Sequence, residues 1–434
     1  MIPLEAEACA ETSSAGAGTW SRRRSQMASS APVTLYDTQT GYHADCTHAV
    51  SKILQLVGAG SRGTSKSRHF FRAAQSCMAG LLSGAAHEQA HQAALYGWVP
   101  SQCSGESRLQ PASFASRFAA RGSAGPSQLV FAGDSSTGQQ LLSLICLLWG
   151  EVATELHPHR LSSTALTPEA AAIATSPLAP TPAAFVLRGG GLVQMARSDF
   201  LTSGRHLLSR CIRLRHGRCT QLHLANSIRT KETKTAGLCQ LPIGLGVPQL
   251  ASSDEDTPMG RGDAPRLDES WTARLRYGVA SSRDVLVLNS GLHWAARIDK
   301  FGNSTVIPAY ECVVLTILEY LNTADYRGRV FYRTNYAPGC GSSMQPDRAA
   351  LGASQGKHGW YRLALFDDVW ARLGPQLRPG FRVLNVSIAS SQRVDAHCSS
   401  NHDAYNASDC VHFVMPGPVD AWNAMLSDAI VQPA

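Results

Sequence analysis

Short apolar runs alternate with longer stretches of helical spacing through the second half of the chain, and this alternation constrains the fold most. The run Val285–Leu288 is apolar throughout, which is typical of a strand buried on both faces of a sheet. Strands that alternate with helices predict βαβ units, a mainly parallel sheet and therefore an α/β fold. Further strands are predicted at Gln128–Ala132, Arg329–Tyr332 and Phe381–Ile388, and helices at Gln139–Val152, Cys312–Leu321, Trp360–Leu373 and Val419–Ile430.

The length of 434 residues fits one large α/β domain with loop insertions. Residues 1–32 contain few large apolar side chains and are predicted to be disordered. Residues 33–434 are predicted to form a single domain. Insertions are expected near 161–184, which is rich in Pro, Ala, Thr and Ser, and near 240–270, which contains an acidic run with Pro and Gly.

The charge balance gives little support to a nucleic-acid partner. The net charge of +7 is small for this length, and the basic segment 205–234 has no Phe, Tyr or Trp on which bases could stack. We interpret that segment as a solvated loop, with a docking surface for an acidic glycan or an anionic donor as the alternative.

The twelve cysteines include no CxxC pair, so a zinc ribbon and a thioredoxin-type site are unsupported, and no metal is predicted.

The sequence gives mixed signals about the cellular compartment. N-glycosylation triplets at Asn303, Asn385 and Asn406, together with scattered cysteines, favour the secretory pathway. The first 30 residues carry the basic run Arg22–Arg24 but no apolar core, so neither a signal peptide nor a membrane anchor is predicted there. The apolar run 141–149 is too short to span a bilayer. Membrane association is therefore expected only through an N-terminal anchor that is missing from this sequence.

The triplet Gly133-Asp134-Ser135 follows the strand-like run Gln128–Ala132. A serine at a strand-to-helix turn can present its hydroxyl outward, beside N–H groups that could face an oxyanion. Ser135 is therefore a candidate nucleophile, provided that a base accepts its proton. The alternative is an ordinary helix N-cap, for which Asp and Ser are both favoured.

Two later clusters could complete such a site. Asn289-Ser290-Gly291 directly follows a predicted strand, and an asparagine amide can donate to a developing negative charge. Asp409-Cys410-Val411-His412 places a carboxylate three residues before a histidine, which it could orient as a base. The alternatives are an Asn/Gly turn and an unrelated Asp and His. The ordered set of Ser, Asn and Asp-x-x-His at strand ends favours an enzyme.

The sequence resembles the PC-esterase and trichome birefringence-like family of the SGNH/GDSL superfamily. The resemblance covers about residues 90–432 and is most specific in the Gly133-Asp134-Ser135 block and in Asp409-Cys410-x-His412. Other similar stretches are Tyr96–Pro100 with Cys103, Phe114–Phe118, Leu129–Phe131, the helix ending Cys146-Leu147-Leu148, Val193–Ser198, Asp284–Trp294, Phe331–Thr334, Pro416-Gly417 and Asp420-x-Trp422-Asn423.

This resemblance implies a three-layer α/β/α sandwich and a catalytic domain that transfers acetyl groups to polysaccharide hydroxyls. It implies Ser135 as nucleophile, His412 as base and Asp409 as the residue that orients it. Oxyanion or substrate contacts are expected from the Ser135 amide, one of Gly189–Gly191, and Gly133, Asp134, Asn289, Gly291 and Arg197. No bound cofactor is expected; acetyl-CoA or another acetylated donor would serve as co-substrate, a polysaccharide or glycan as acceptor, and the Golgi or secretory pathway as the compartment.

The chain departs from the family pattern at two places. Gly138-Gln139 stands where plant members usually have Arg-Asn, and Leu292-His293-Trp294 stands in place of His-Trp-Trp. An O-acetyltransferase with a Ser135 acyl-enzyme is the leading hypothesis. The alternatives are a carbohydrate acetyl esterase with the same Ser, His and Asp, and a non-catalytic glycan-binding protein of the same fold.

Overall fold

The computed structural model describes residues 18–22, 96–100, 109–119, 127–156, 183–202, 212–213, 219–220, 267, 269–336, 338, 357–397 and 410–431. Asp409 and the predicted insertion at 240–270, apart from 267, 269 and 270, lie outside these residues. So do nearly all of the basic segment and residues 161–182 of the other insertion.

A seven-stranded sheet forms the centre of the protein, in the order β11-β10-β9-β3-β6-β5-β4. The strands from β11 to β6 pair in parallel, whereas β5 and β4 continue the sheet antiparallel at one edge. The prediction of a mainly parallel sheet is therefore confirmed. The strands span Gln128–Gly133 (β3), Val152–Leu156 (β4), Ala183–Leu187 (β5), Leu192–Arg197 (β6), Val285–Leu288 (β9), Arg329–Arg333 (β10) and Arg382–Leu384 (β11).

Two small antiparallel pairs stand apart from this sheet. One joins β1 (Gly18–Arg22) to β2 (Tyr96–Pro100), and the other joins β7 (Ile212–Arg213) to β8 (Cys219–Thr220).

The described helices are Pro111–Phe118 (α1), Ser135–Leu147 (α2), Glu269–Thr272 (α3), Leu292–Phe301 (α4), Asn303–Thr323 (α5), Leu363–Leu377 (α6), Ser387–Ser391 (α7) and Pro418–Val431 (α8). Short 3-10 turns lie at Trp149–Glu151, Val279–Ser281, Lys357–Arg362 and Val394–Ala396. Within the described part of the chain, no helix has the length and apolar character needed to cross a membrane.

The helices cover both faces of the sheet, because successive strand side chains point to opposite sides. In β3, Leu129 and Phe131 pack with α2 and α8, while Val130 and Ala132 pack with α4, α5 and α6. The continuous apolar runs of the sequence therefore fill two separate cores, and the three-layer α/β/α arrangement is confirmed.

Several element boundaries differ from the sequence prediction, and two of them have a local cause. Helix α2 begins at Ser135 rather than Gln139, because Asp134 caps it. The strand predicted at Phe381–Ile388 ends at Leu384. The Asn385 carboxamide oxygen then accepts the Ser387 amide (3.1 Å), which starts helix α7 instead.

The prediction of disorder for residues 1–32 does not hold for Gly18–Arg22. This strand pairs with β2 because Trp20 has a buried position to fill. Its ring meets that of Trp98 at 5.4 Å, and its indole N–H donates to the Ala389 carbonyl (2.8 Å). A single large aromatic residue in a polar segment thus anchors the strand to the body of the protein.

Replacing Trp20 with alanine should lower the free energy of unfolding by about 3–5 kcal/mol, since a buried aromatic ring and its packing are lost. Urea denaturation would measure the change. The control is Tyr361→Ala, which removes an aromatic ring that is 43% exposed and should cost about 1 kcal/mol or less. Equal effects of the two substitutions would contradict the docked position of β1.

Candidate active site

Ser135 lies where β3 ends and α2 begins, at the carboxyl edge of the parallel strands. Asp134 caps the helix: its Oδ1 accepts hydrogen bonds from the Ser136 amide (2.9 Å) and the Ser136 hydroxyl (2.6 Å). The N-cap interpretation is therefore confirmed for Asp134, whereas Ser135, the first helical residue, stays a candidate nucleophile. Ser135 is half-buried, so its hydroxyl can form a hydrogen bond with another segment of the chain.

His412 supplies the contact that the sequence predicted for Ser135. Its Nε2 lies 2.8 Å from the Ser135 hydroxyl oxygen, although 277 residues separate the two positions. This distance is within the range needed for proton transfer between a nucleophile and a general base. The structure thus brings together two of the three members of the predicted set of Ser135, His412 and Asp409.

The third predicted member, Asp409, lies outside the described residues, as do Cys340 and Cys398. Cys410, two residues before His412, is disulfide-bonded, as is Cys146 near the end of α2. The role of Asp409 in orienting His412 stays a prediction.

Gln139 holds the segment that carries His412. Its side-chain amide donates to the Phe413 carbonyl (2.8 Å), and its side-chain oxygen accepts the Phe413 amide (3.1 Å). Gln139 is fully buried and lies one helical turn after Ser135, so this pair of bonds ties the helix of the nucleophile to the backbone beside the histidine. Tyr336 adds a bond from its hydroxyl to the Val411 carbonyl (2.6 Å) on the other side of His412.

A buried charge network lies beneath Ser135. The Arg333 guanidinium, at the end of β10, donates to the Ser136 hydroxyl (2.6 Å), which in turn donates to Asp134. Arg333 also stacks over the Trp422 ring at 4.5 Å. Burial lowers the pKa of Arg333, whereas the Asp134 carboxylate opposes that shift. A hydroxyl therefore links two fully buried, opposite charges directly under the nucleophile.

Asn289 belongs to the same buried network beneath Ser135. Its amide donates to the Arg333 carbonyl (3.0 Å), and its side-chain oxygen accepts the hydroxyls of Ser136 and Thr137, each at 3.3 Å. Asn289 is fully buried, and these contacts join the ends of β3, β9 and β10. Its donation to an oxyanion stays a prediction.

Two of the predicted glycines stand where a side chain would not fit. A Cβ at Gly133 would lie 2.7 Å from the Asn289 carbonyl oxygen. Gly291 adopts φ +146°, and a Cβ there would lie 2.9 Å from Cγ of Asn335. Both glycines therefore permit close approach of the strand ends around Ser135.

The expected oxyanion contribution from Gly189–Gly191 is wrong. These residues form the turn between β5 and β6, immediately before Leu192, which pairs with Gln128 at the start of β3. Ser135 follows the other end of β3. The turn therefore lies at the opposite edge of the sheet.

A second buried polar network supports the Ser290-Gly291 turn. The Asp367 carboxylate accepts hydrogen bonds from the Tyr332 hydroxyl (2.8 Å) and from the Asn335 side-chain amide (2.7 Å), and that amide also donates to the Ser290 carbonyl (3.0 Å). Burial raises the pKa of Asp367 to about 7, against the lowering effect of these hydrogen bonds. Proton binding at Asp367 is thus linked to the stability of the segment that follows β9.

Several of these residues escaped the sequence analysis. Ser136, Thr137, Asn335 and Asp367 act through partners that are far away in sequence, and no local spacing marks them. Gln139 is marked only as a departure from the family pattern. Arg333 left a signal, since a charged residue ends an apolar strand at the edge where ligands bind in α/β sheets.

Comparison with known proteins finds similarity in part of the chain. The sequence model of PC-esterase, described as a GDSL/SGNH-like acyl-esterase family found in Pmr5 and Cas1p, matches residues 340–429, which include His412. The C-terminal part of the chain is therefore similar to the PC-esterase family. The matched region does not include the Gly133-Asp134-Ser135 block. The fold places Ser135 of this block against His412 of the matched region.

Two curated proteins are similar to parts of this chain. Over 242 residues the chain is 25% identical to "Xylan O-acetyltransferase 14" from Oryza sativa subsp. japonica, covering 42% of this chain and 51% of that protein. Over 52 residues it is 46% identical to "Xyloglucan O-acetyltransferase 3" from Populus trichocarpa, covering 11% of this chain and 13% of that protein. The match thus spans about half the length of the first relative and less of the second. No solved structure matches the chain.

Replacing Gln139 with leucine should lower the free energy of unfolding by about 1–3 kcal/mol, because it leaves both backbone groups of Phe413 buried without their partners. It should also slow the labelling of Ser135 by a fluorophosphonate, because the His412 segment loses its attachment to α2. Gln376→Leu, at an exposed position of α6, is the matched control. Labelling at the wild-type rate in Gln139→Leu would contradict the positioning effect.

Stability should depend on pH through Asp367. Its folded-state pKa, about 7, lies above its ordinary value of 3.8, so proton binding favours the folded protein. This contribution is complete below about pH 4 and is lost as the pH rises through about 7. Relative to Asp367→Asn, the wild type should lose up to about 1.4 kcal/mol of unfolding free energy per pH unit in that window. Urea titrations of both proteins across the window test this, and parallel curves would contradict it.

Proposed function

We propose that this protein is an O-acetyltransferase that moves an acetyl group through a Ser135 acyl-enzyme to a hydroxyl group of a polysaccharide. The observation that carries the proposal is the 2.8 Å contact between the Ser135 hydroxyl and His412 Nε2 at the carboxyl edge of the sheet. The printed names of the two relatives, one for xylan and one for xyloglucan, support this reaction class.

In the first half-reaction, His412 Nε2 accepts the Ser135 proton as the hydroxyl oxygen attacks the acetyl carbonyl. The tetrahedral intermediate collapses, the bond to the donor's leaving atom breaks, and the imidazolium returns the proton to that leaving group. The leaving atom is sulfur for acetyl-CoA and oxygen for an acetyl ester. Asp409 would orient His412 and stabilise the imidazolium during this step.

In the second half-reaction, His412 accepts a proton from the acceptor hydroxyl. The resulting oxygen nucleophile attacks the acetyl carbon, and the bond to Ser135 breaks as the serine regains its proton. The Ser135 amide at the start of α2 and the Asn289 amide are the proposed donors to the oxyanion. Fixed contacts under the site hold both groups in place before the substrate arrives.

A carbohydrate acetyl esterase is the second candidate, because Ser135 and His412 are only half-buried and water could reach an acyl-enzyme there. Only the nucleophile of the second half-reaction differs. Incubation with p-nitrophenyl acetate, with and without xylohexaose, separates the two functions. Acetylated oligosaccharide supports the transferase, whereas acetate release unaffected by the oligosaccharide supports the esterase.

The proposed compartment is the secretory pathway. The disulfide bonds of Cys146 and Cys410 suit an oxidising environment. Of the predicted glycosylation sites, Asn303 is exposed, whereas Asn385 has its side-chain oxygen engaged by the Ser387 hydroxyl (2.6 Å).

Replacing Ser135 with alanine should reduce acetyl transfer by about 10³-fold or more, because it removes the hydroxyl that lies 2.8 Å from His412 Nε2. A fluorophosphonate probe should label the wild type at Ser135 and leave the variant unlabelled. Ser116→Ala, on the exposed side of α1, controls for the loss of a serine. Transfer that persists in Ser135→Ala would overturn the proposed mechanism.

A further inference from the structure

A second cluster of ionisable side chains lies at the same edge of the sheet as Ser135. It consists of Arg197, which ends β6, Asp199, two residues later, and His293 in the first turn of α4. The two strands that flank β3 deliver these residues, because Arg197 pairs with Gly133 and α4 begins four residues after the end of β9. The Ser198 amide also donates to the Gly133 carbonyl (2.8 Å), which keeps the end of β6 beside the end of β3.

Asp199 joins the three side chains into one group. Its Oδ1 lies 3.0 Å from Nε of Arg197 and 3.6 Å from Nε2 of His293. The side chains are 25%, 19% and 33% exposed for Arg197, Asp199 and His293, so solvent and ligands can reach all three. The cluster is therefore part of the surface rather than of the core.

Aromatic packing fixes the cluster from below. Phe200 is buried and meets the His293 ring at 5.8 Å and the Trp294 ring at 5.7 Å, both edge-on. The Arg297 guanidinium lies over the Phe200 ring, 5.7 Å from the ring centre. Packing against Phe200 thus fixes the His293 ring, while part of its surface stays exposed to solvent.

The cluster and His412 both lie at the edge between the two faces of the sheet, because Val411, next to His412, packs against the same core as Phe200 and Trp294. Phe413, next to His412, packs in the core under α2 and α8, whereas Phe200 and Trp294 pack in the core under α4, α5 and α6. Ser135 lies at the edge between these two faces. A substrate bound to the cluster would therefore extend across Ser135, so that its reacting hydroxyl lies next to His412 Nε2.

We propose that Arg197, Asp199 and His293 form the subsite that binds a neutral sugar of the acceptor beside Ser135. This inference rests on the proposed function and names the substrate class of the same site. The cluster offers a carboxylate as acceptor and N–H groups as donors within a few ångströms, which matches hydroxyls that both donate and accept. The opposite charges of Arg197 and Asp199 balance each other, so the cluster suits uncharged hydroxyls better than an anionic group.

The binding test uses the Ser135→Ala protein, in which sugar binding is measured without turnover. Calorimetric titrations with xylohexaose and with a xyloglucan heptasaccharide give the affinities. Adding Asp199→Asn or His293→Ala to Ser135→Ala should weaken binding of the recognised oligosaccharide by about tenfold or more, as expected when polar partners of a bound hydroxyl are removed. Asp325→Asn is the control, since Asp325 pairs with Arg327 in an exposed ion pair before β10, at the other edge of the sheet.

The acylation test uses the single variants in the otherwise native protein. Asp199→Asn and His293→Ala should leave fluorophosphonate labelling of Ser135 within about twofold of the wild-type rate, because the cluster acts on the acceptor. A strong loss of labelling would place the cluster in the acylation machinery and overturn the subsite.

Three binding results would also overturn the proposed subsite: no binding of either oligosaccharide, unchanged affinity in both variants, or tighter binding of a glucuronate-bearing oligosaccharide than of a neutral one. Failure of the proposed function is distinguishable, because it appears as an unlabelled Ser135 in the wild type or as transfer that survives Ser135→Ala.

Discussion

The arrangement of the site depends on the cap that Asp134 places on α2. Asp134 lies between the last residue of β3 and the first residue of α2. Because its carboxylate caps the helix, Ser135 stands at the carboxyl edge of the sheet with its hydroxyl directed at His412. The cap is also the acidic end of the buried network that continues through Ser136 to Arg333. Because an isolated buried charge is costly, the cation at the end of β10 and the anion at the end of β3 each stabilise the other.

Ser135 and His412 are 277 residues apart in the sequence, and several contacts hold their segments together. Gln139 binds the backbone beside His412, Tyr336 binds it on the other side, and the His397 ring stacks on Phe413 at 4.1 Å. Each contact joins the His412 segment to an element already fixed by core packing. The geometry of the dyad therefore depends on the sheet and on both of its helical layers.

The sequence predicted the α/β class because the buried strands Gln128–Gly133 and Val285–Leu288 are apolar without interruption, a pattern that local composition records directly. It predicted Ser135, Asn289 and His412 because polar groups after such strands meet at one edge. It could not predict the partners of Gln139 or Arg333, since these depend on tertiary packing. The strand at Gly18–Arg22 escaped for the same reason, because Trp20 is stabilised by Trp98 and Ala389 rather than by its neighbours.

We propose that Ser135 carries the acetyl group after activation by His412. Rapid quenching of the protein with p-nitrophenyl acetate, followed by peptide mass spectrometry, would detect this acyl-enzyme. One acetyl group is expected on Ser135 in the wild type, and none on this peptide in His412→Ala. Acetylation of a different residue, or acetyl-Ser135 formed at the same rate without His412, would overturn the proposal.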